Sequence, residues 1–146
     1  MKKIAIFLMF ISLFLITSCN NHVDNLEENN DSIEVIDSMK VYINDSEYTL
    51  NLENNETVTN IINMLPLELT MNELNGNEFY AYLDNSLKEN ASIPNIINKG
   101  DVMLYGDNCL VIFYKTFKTT YSYTKIGHID NLPDFDNNNI TVIFDR

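Results

Sequence analysis

A series of short runs in which apolar and polar residues alternate is the feature that most constrains the fold of this chain. Alternation with a period of two residues puts one set of side chains on each face of a β-strand. Two further runs, 101–105 and 109–114, are apolar almost throughout, which is typical of strands covered on both faces. Eight strands are therefore predicted, at residues 39–43, 48–52, 67–71, 78–83, 101–105, 109–114, 120–129 and 140–144.

Short polar turns join several of these strands into hairpins. Residues 44–46, 75–77 and 106–108 read Asn-Asp-Ser, Asn-Gly-Asn and Gly-Asp-Asn. Asn, Asp and Gly tolerate the positive φ angles that tight hairpin turns require. Residues 84–99 are predicted to be a longer polar loop.

One helix is predicted over residues 54–65. Asn54 or Asn55 is suited to cap its start, and Pro66 ends it. Its apolar stripe at helical spacing consists of Val58, Ile61, Ile62 and Leu65. Eight short strands and one helix indicate a mainly β fold, a closed or nearly closed eight-stranded β-barrel with one main α-helix.

The N-terminal residues form a predicted targeting segment. Lys2 and Lys3 precede an apolar run at residues 4–16 that is too short to span a bilayer comfortably. Residues 16–19 read Ile-Thr-Ser-Cys, which resembles the lipobox of bacterial lipoproteins. The resemblance implies cleavage before Cys19 and acylation of that cysteine with fatty acids such as palmitate, which would anchor the chain. An ordinary secretory signal with an incidental cysteine is the alternative.

This segment sets the expected domain organisation. Residues 1–18 are the predicted signal peptide, residues 19–37 an acidic, asparagine-rich tether, and residues 38–146 the folded domain. The expected location is the exported face of a bacterial cell membrane, with the lipid on Cys19 as the anchor. The domain is expected to be monomeric.

The net charge excludes some classes of partner. The chain has 21 acidic and 9 basic residues, a net charge of −12. The predicted signal contains two of the basic residues and no acidic one, so cleavage would change the net charge to about −14. Such a charge repels phosphate backbones and anionic headgroups, so nucleic acid is not an expected partner.

Two segments of the chain carry a family resemblance. Residues 65–83 read LPLELTMNELNGNEFYAYL, and residues 97–129 read INKGDVMLYGDNCLVIFYKTFKTTYSYTKIGHI. With the helix that precedes them, they resemble the small bacterial cyclophilin-like domain over residues 39–144. The resemblance implies an eight-stranded barrel of the cyclophilin type, with the predicted helix closing one end.

The resemblance does not extend to the isomerase site of true cyclophilins. Their catalytic arginine lies in a Phe-His-Arg segment on the strand after the first helix, and the matching residues 67–71 contain none of these types. Arg146, at the C-terminus, is the only arginine of the chain. The Gln-Gly-Gly-Asp-Phe segment is likewise replaced by residues 79–83. A fixed donor is needed to stabilise the twisted prolyl amide, so no catalytic residue is assigned.

Other candidate chemistry favours plain structural roles. Cys109 has the strand parity of Val111 and Phe113, so it is predicted to point into the interior as an inert buried thiol, with a redox or nucleophilic role as the alternative. His22 and His128 cannot supply the three or four ligands of a zinc site, so no metal or cofactor is predicted. The acidic loop that contains Asp134 and Asp136 has no EF-hand pattern, which leaves weak calcium binding as its alternative reading.

Tyrosines and lysines supply the remaining candidates. Five of the eight tyrosines, Tyr80, Tyr82, Tyr105, Tyr121 and Tyr123, form a cluster on predicted strands, and tyrosine combines apolar area with a hydroxyl group that suits recognition. A binding groove is predicted from Tyr80, Tyr82, Tyr105 and Tyr121, with a purely structural role on a half-wet barrel face as the alternative. The lysines at 115, 118 and 125 form a locally basic stretch, either an anion-facing patch or a solvated strand face.

Together these features predict a membrane-anchored, non-catalytic binding module. Its expected partner is a peptide, an envelope protein or a small ligand. The alternatives are a weak peptidyl-prolyl isomerase or folding factor for exported chains, and a subunit of a transporter or envelope complex.

Overall fold

The structure is a computed structural model that describes residues 36–146. The predicted signal peptide, Cys19 and residues 19–35 of the predicted tether lie outside the described residues. Within the described range, no helix is both long and apolar enough to cross a membrane.

The described part of the chain forms ten β-strands and one α-helix. Helix α1 spans Glu56–Ile62 and lies between β2 and β3. The strands are β1 (Ser38–Ile43), β2 (Ser46–Leu52), β3 (Leu67–Leu74), β4 (Glu78–Tyr82), β5 (Ile96–Ile97), β6 (Asp101–Tyr105), β7 (Cys109–Phe113), β8 (Phe117–Lys118), β9 (Thr124–Ile129) and β10 (Asn139–Asp145).

Eight of the strands form a closed antiparallel barrel. Their order is β1-β10-β3-β4-β7-β6-β9-β2, and β2 pairs back with β1 to complete the circle. The predicted mainly β fold, with an eight-stranded barrel and one helix, is therefore confirmed. β5 and β8 form a separate two-stranded sheet.

The predicted hairpin turns lie where the sequence placed them. Asn44 and Asp45 join β1 to β2 with φ angles of 47° and 67°. Asn75 and Gly76, with φ angles of 59° and 72°, join β3 to β4, and Gly106 at 57° follows β6. The left-handed backbone of each turn explains why asparagine, aspartate and glycine occupy these positions.

Helix α1 is shorter than the predicted 54–65. The side chain of Asn55 accepts a hydrogen bond from the backbone N–H of Val58 at 2.9 Å, so Asn55 rather than Asn54 is the cap. The helix ends at Ile62 because the next backbone groups tighten the turn: the N–H of Met64 donates to the carbonyl of Ile61, three residues earlier, at 2.9 Å.

Two hydrophobic cores lie on opposite faces of β6 and β7. Leu110 and Ile112 belong to the large core inside the barrel, which also receives Val58 and Ile61 from α1. The alternate residues of β7 belong to a smaller second core on the outer face of the barrel. Both faces of these strands are therefore covered, as their continuous apolar sequence predicted. The buried members of the second core are Ile97, Met103, Cys109, Val111, Phe113 and Tyr123.

The structure corrects the prediction of a strand over residues 120–129. Only Thr124–Ile129 is a strand, and residues 117–123 instead cross the outer face of the barrel. They do so because Tyr123 packs into the second core and forms a bridge with Ser92. The predicted loop at 84–99 also contains β5, which pairs with β8 in the crossing segment.

Candidate functional site

A cavity of about 350 Å³ lies on the outer face of the barrel. Its floor is β7, and the strand register places Tyr82 of β4 and Tyr105 of β6 on either side of Cys109. The β3–β4 turn forms one rim and the segment before β9 forms the other. We call this cavity the tyrosine groove, and its lining residues are Leu74, Asn75, Glu78, Tyr80, Tyr82, Tyr105, Cys109, Val111, Tyr121 and Tyr123.

All four tyrosines of the predicted groove line this cavity. Tyr80 is half-buried, whereas Tyr82, Tyr105 and Tyr121 are 67%, 48% and 63% exposed. Tyr80 and Tyr82 point the same way because alternate residues of a strand share a face. Tyr121 reaches the cavity from the crossing segment rather than from a strand. The structure thus brings the four side chains together, and their role in binding stays a prediction.

Two pairs of aromatic rings in the groove are arranged edge to face. The rings of Tyr80 and Tyr82 are 5.9 Å apart at an interplanar angle of 80°. Across the floor, the rings of Tyr105 and Tyr121 are 6.2 Å apart at 87°, and Tyr123 lies 5.5 Å from Tyr105. Edge-to-face pairs hold rings in defined orientations, so the walls of the groove are preorganised.

Glu78 is the one charged residue that lines the groove, and the sequence analysis did not propose it. Burial, and next the nearby Glu73 carboxylate, raise the pKa of Glu78. After burial, the charge of Glu78 is the next cause of the raised pKa values of Cys109 and Tyr123. Strand parity could have identified it, since residues 78, 80 and 82 share one face of β4.

Glu73 is held in place beside Glu78 by hydrogen bonds. Its carboxylate accepts one from the hydroxyl of Tyr114 at 3.0 Å and another from the backbone N–H of Gly76. Burial and this carboxylate raise the pKa of Tyr114 to about 12, so the phenol remains a donor at physiological pH. The second carboxylate is therefore a fixed part of the electrostatics near the groove.

Cys109 is buried, with 7% of its surface exposed, as predicted. Burial and then the charge of Glu78 raise its pKa, which disfavours the reactive thiolate. The predicted orientation toward the interior of the barrel is wrong: the thiol lies on the outer face and forms part of the groove floor. The parity with Val111 and Phe113 is correct, but that face packs against the second core.

The remaining candidates do not join the groove. Nδ1 of His128 lies 2.9 Å from the buried carboxylate of Asp101. That carboxylate also accepts a hydrogen bond from the backbone N–H of Asn98 at 2.8 Å. This pair anchors the start of β6 to β9. Among residues 36–146, no cluster of three or more His, Cys, Asp or Glu side chains is placed to hold a metal ion.

Two lysines of the predicted basic stretch form ion pairs with acidic residues. Lys115 pairs with Asp134 at 3.2 Å, and Lys125 pairs with Glu53 at 3.2 Å. Asp134 also accepts a hydrogen bond from Lys99 at 2.7 Å. The hydrogen bonds from Lys99 and then Lys115 lower the pKa of Asp134. Two of the three predicted lysines and one acid of the 134–136 loop are therefore engaged in exposed ion pairs.

A second depression, of about 560 Å³, adjoins the groove and shares Tyr121 with it. It is lined by residues 95–96 and 117–121, with Ile96 and Phe117 as its apolar members and Lys118 as its charged one. The outer face of β4, β7 and β6 is thus continued by a second concave surface on the crossing segment.

Comparisons with known proteins agree with this architecture. Residues 41–145 match the model of the cyclophilin-like family. A hypothetical protein from Archaeoglobus fulgidus, known from a solution structure, is 20% identical, with a TM-score of 0.58, and the match covers 75% of this chain and 93% of that one. No curated protein matches significantly. The family match spans most of the chain and all but the ends of the barrel, and the chain belongs to the cyclophilin-like family.

Proposed function

We propose that the barrel is a non-catalytic recognition domain that binds a peptide in the tyrosine groove. The observation that carries this proposal is the convergence of Tyr80, Tyr82, Tyr105 and Tyr121 on one concave surface. Three of these rings are about half exposed or more, although the apolar part of a tyrosine is favourable to bury. Clustered exposed aromatic side chains in a concavity are typical of binding surfaces.

The neighbouring depression favours a peptide over a compact small ligand. The groove and the depression meet at Tyr121, which gives a concave path longer than one side chain. An extended peptide places successive side chains about 3.3 Å apart along its axis, so it can fill both surfaces at once. Exposed Leu74 lines the groove and exposed Ile96 lines the depression, and both offer apolar contacts.

A peptide array on the full chain, kept in mild detergent, tests the proposal. Hits are then titrated by calorimetry against the wild type and the variants Tyr82→Leu and Tyr105→Leu. We expect saturable binding that each variant weakens at least roughly fivefold, because exposed tyrosines of this kind dominate recognition surfaces. Tyr42→Leu is the matched control, since β1 lies on the opposite side of the barrel from β7. Absence of saturable binding, or equal losses in the control, would reject the proposal.

A prolyl-isomerisation assay on the same sample tests whether the barrel is non-catalytic. None of the lining residues of the groove, as the described range defines it, is arginine, lysine or histidine. The twisted prolyl amide therefore meets no cationic donor there. Acceleration of cis–trans exchange that Tyr82→Leu abolishes would establish an isomerase instead.

We also propose that acyl chains on Cys19 hold the chain at the exported face of a bacterial membrane. The support for this is the Ile-Thr-Ser-Cys segment after the apolar run of the N-terminus. Two or more acyl chains give stable anchoring without a membrane-spanning helix. Metabolic labelling with an alkyne analogue of palmitate should mark the wild type and leave Cys19→Ala unlabelled. Equal labelling of the two proteins would refute the anchor.

A further inference from the structure

The tyrosine groove combines aromatic walls with a carboxyl group and contains no positive charge. Five tyrosines, Glu78 and Asn75 supply its polar and aromatic groups. Among the described residues, Glu78 has no lysine, arginine or histidine within ion-pair distance, whereas Glu47, Glu53 and Glu56 each pair with a lysine. The charge of the Glu78 carboxylate is thus left uncompensated by the residues that the structure describes.

We propose that the tyrosine groove binds the cationic side chain of a lysine or arginine residue in the partner peptide. This inference rests on the proposed peptide-binding function and specifies its ligand. Aromatic rings attract cations through their negative faces, and tyrosine cages are suited to ammonium and guanidinium groups. A carboxylate at the same site adds direct charge complementarity.

The register of the strands gives the groove a width that suits a lysine or arginine side chain. Tyr82 and Tyr105 flank Cys109 on the two neighbouring strands, so their backbones are separated by two strand spacings, roughly 10 Å. The small Cys109 side chain between them leaves room for an aliphatic stem to enter between two rings. The ring of Tyr121 stands perpendicular to that of Tyr105 at 87° and closes the adjacent side.

Glu78 lies farther along the same face of β4 and lines the same groove. On the outer face of β4 it precedes Tyr80 and Tyr82 by two and four residues and has the same parity. The carboxyl is half-buried, so water screens its charge less than that of a fully exposed glutamate. The large negative charge of the whole chain, −12, also raises the local concentration of cationic peptides and repels acidic ones.

A matched set of peptides distinguishes this inference from peptide binding in general. The full chain, with its tyrosine rings labelled for NMR, is titrated with acetyl-Gly-Ala-Xaa-Ala-Gly-amide, in which Xaa is lysine, norleucine, arginine, citrulline or glutamate. We expect the lysine and arginine peptides to bind roughly 5-fold to 30-fold tighter than norleucine and citrulline, and the glutamate peptide to bind weakest. Added salt should reduce this preference.

Two variants locate the preference within the groove. Glu78→Gln should remove most of the discrimination between the lysine and norleucine peptides. Glu68→Gln, an exposed glutamate of β3 outside the groove, is the matched control and should change neither value. Tyr82→Leu should weaken both cationic peptides, and the unchanged spectrum of the remaining tyrosines verifies the fold.

The possible outcomes separate the two proposals. Equal affinity for lysine and norleucine peptides would overturn the cation site and leave the peptide-binding function standing. Cation preference that survives Glu78→Gln and Tyr82→Leu would also overturn it, because the site would then lie elsewhere. Saturable binding of none of the five peptides would count against both.

Discussion

At the scale of single residues, the tyrosine groove is defined by one small side chain and one carboxyl. Cys109 lies between two tyrosines on adjacent strands, and any larger side chain there would fill the floor of the cavity. Glu78 supplies the charge, and its pKa is raised because burial and Glu73 both disfavour the ionised form. The chemical character of the site therefore depends on two residues that make little contribution to the barrel core.

The thiol of Cys109 should react slowly with alkylating reagents. Burial and the Glu78 charge raise its pKa, so the thiolate fraction near neutral pH is small, and only 7% of the residue is accessible. Iodoacetamide labelling at pH 7.5, followed by mass spectrometry, should be much slower in the folded protein than in urea. Cys19→Ala removes the second thiol from the measurement. Labelling at the rate of the unfolded chain would contradict this account.

Glu78→Gln should stabilise the protein in a pH-dependent way. The pKa of Glu78 is higher in the folded state than in the unfolded state. The contribution of this group to stability is therefore fully present at pH values below the unfolded-state pKa, and it is lost as the pH rises through the folded-state pKa. The amide variant should therefore melt roughly 1–3 °C higher at pH 8, a modest gain for a half-exposed group. At pH 3.5 the two proteins should melt together. A gain that is independent of pH would point to packing instead of charge.

At the scale of elements, the segment of residues 117–123 decides where the site lies. A strand is predicted over residues 120–129, yet residues 117–123 cross the barrel, and β8 within them pairs with β5. Tyr123 packs against the second core, and Tyr121 is then left exposed at the rim of the groove. The groove exists because this segment covers only part of the outer face of β6 and β7.

The start of helix α1 can be tested by a pair of neighbouring asparagines. Asn55 caps the helix and also donates through Nδ2 to the carbonyl of Lys125 on β9, at 2.8 Å. Asn55→Ala should lower the free energy of unfolding by about 1–2 kcal/mol, because it removes the cap and this link to β9. Urea denaturation is the measurement. Asn54→Ala is the control and should change stability little, so equal losses in both variants would refute the assigned cap.

At the scale of the whole molecule, closure of the barrel depends on a seam between distant segments. β2 and β9 are 70 or more residues apart, and they pair through Leu50, Asn51 and Leu52 opposite residues 127–129. The first and last strands also meet, since β10 pairs with both β1 and β3. Contacts of such sequence separation form late and cooperatively, so the barrel is expected to unfold as one unit.

Gly127 is the residue that most restricts this seam. A Cβ atom at this position would lie 2.2 Å from the backbone carbonyl oxygen of Asn51 on β2. Gly127→Ala should therefore push the two strands apart and destabilise the protein by roughly 1–3 kcal/mol. Hydrogen exchange should show the largest loss of protection in β2 and β9. An unchanged melting temperature would show that the seam tolerates the methyl group.

The sequence by itself determined the barrel strands apart from the start of β9, their hairpin turns, the helix and the barrel class, but not β5 and β8. These features are local: alternation identifies a strand, turn residues that accept positive φ identify a hairpin, and a resemblance over most of the chain identifies the barrel. Parity also placed Tyr80 and Tyr82 on one face, and it contained the same information about Glu78.

Only the tertiary structure decided which face of each strand is inside and which residues from separate elements meet. Cys109 has a correct parity but an outer position, because the sequence of β7 is apolar on both faces and cannot distinguish barrel interior from second core. Likewise, the alternation around Tyr121 and Tyr123 is satisfied equally by a barrel strand and by a covering segment. Which of the two forms depends on which distant segment pairs with the exposed edge of the strand, and local periodicity does not specify that partner.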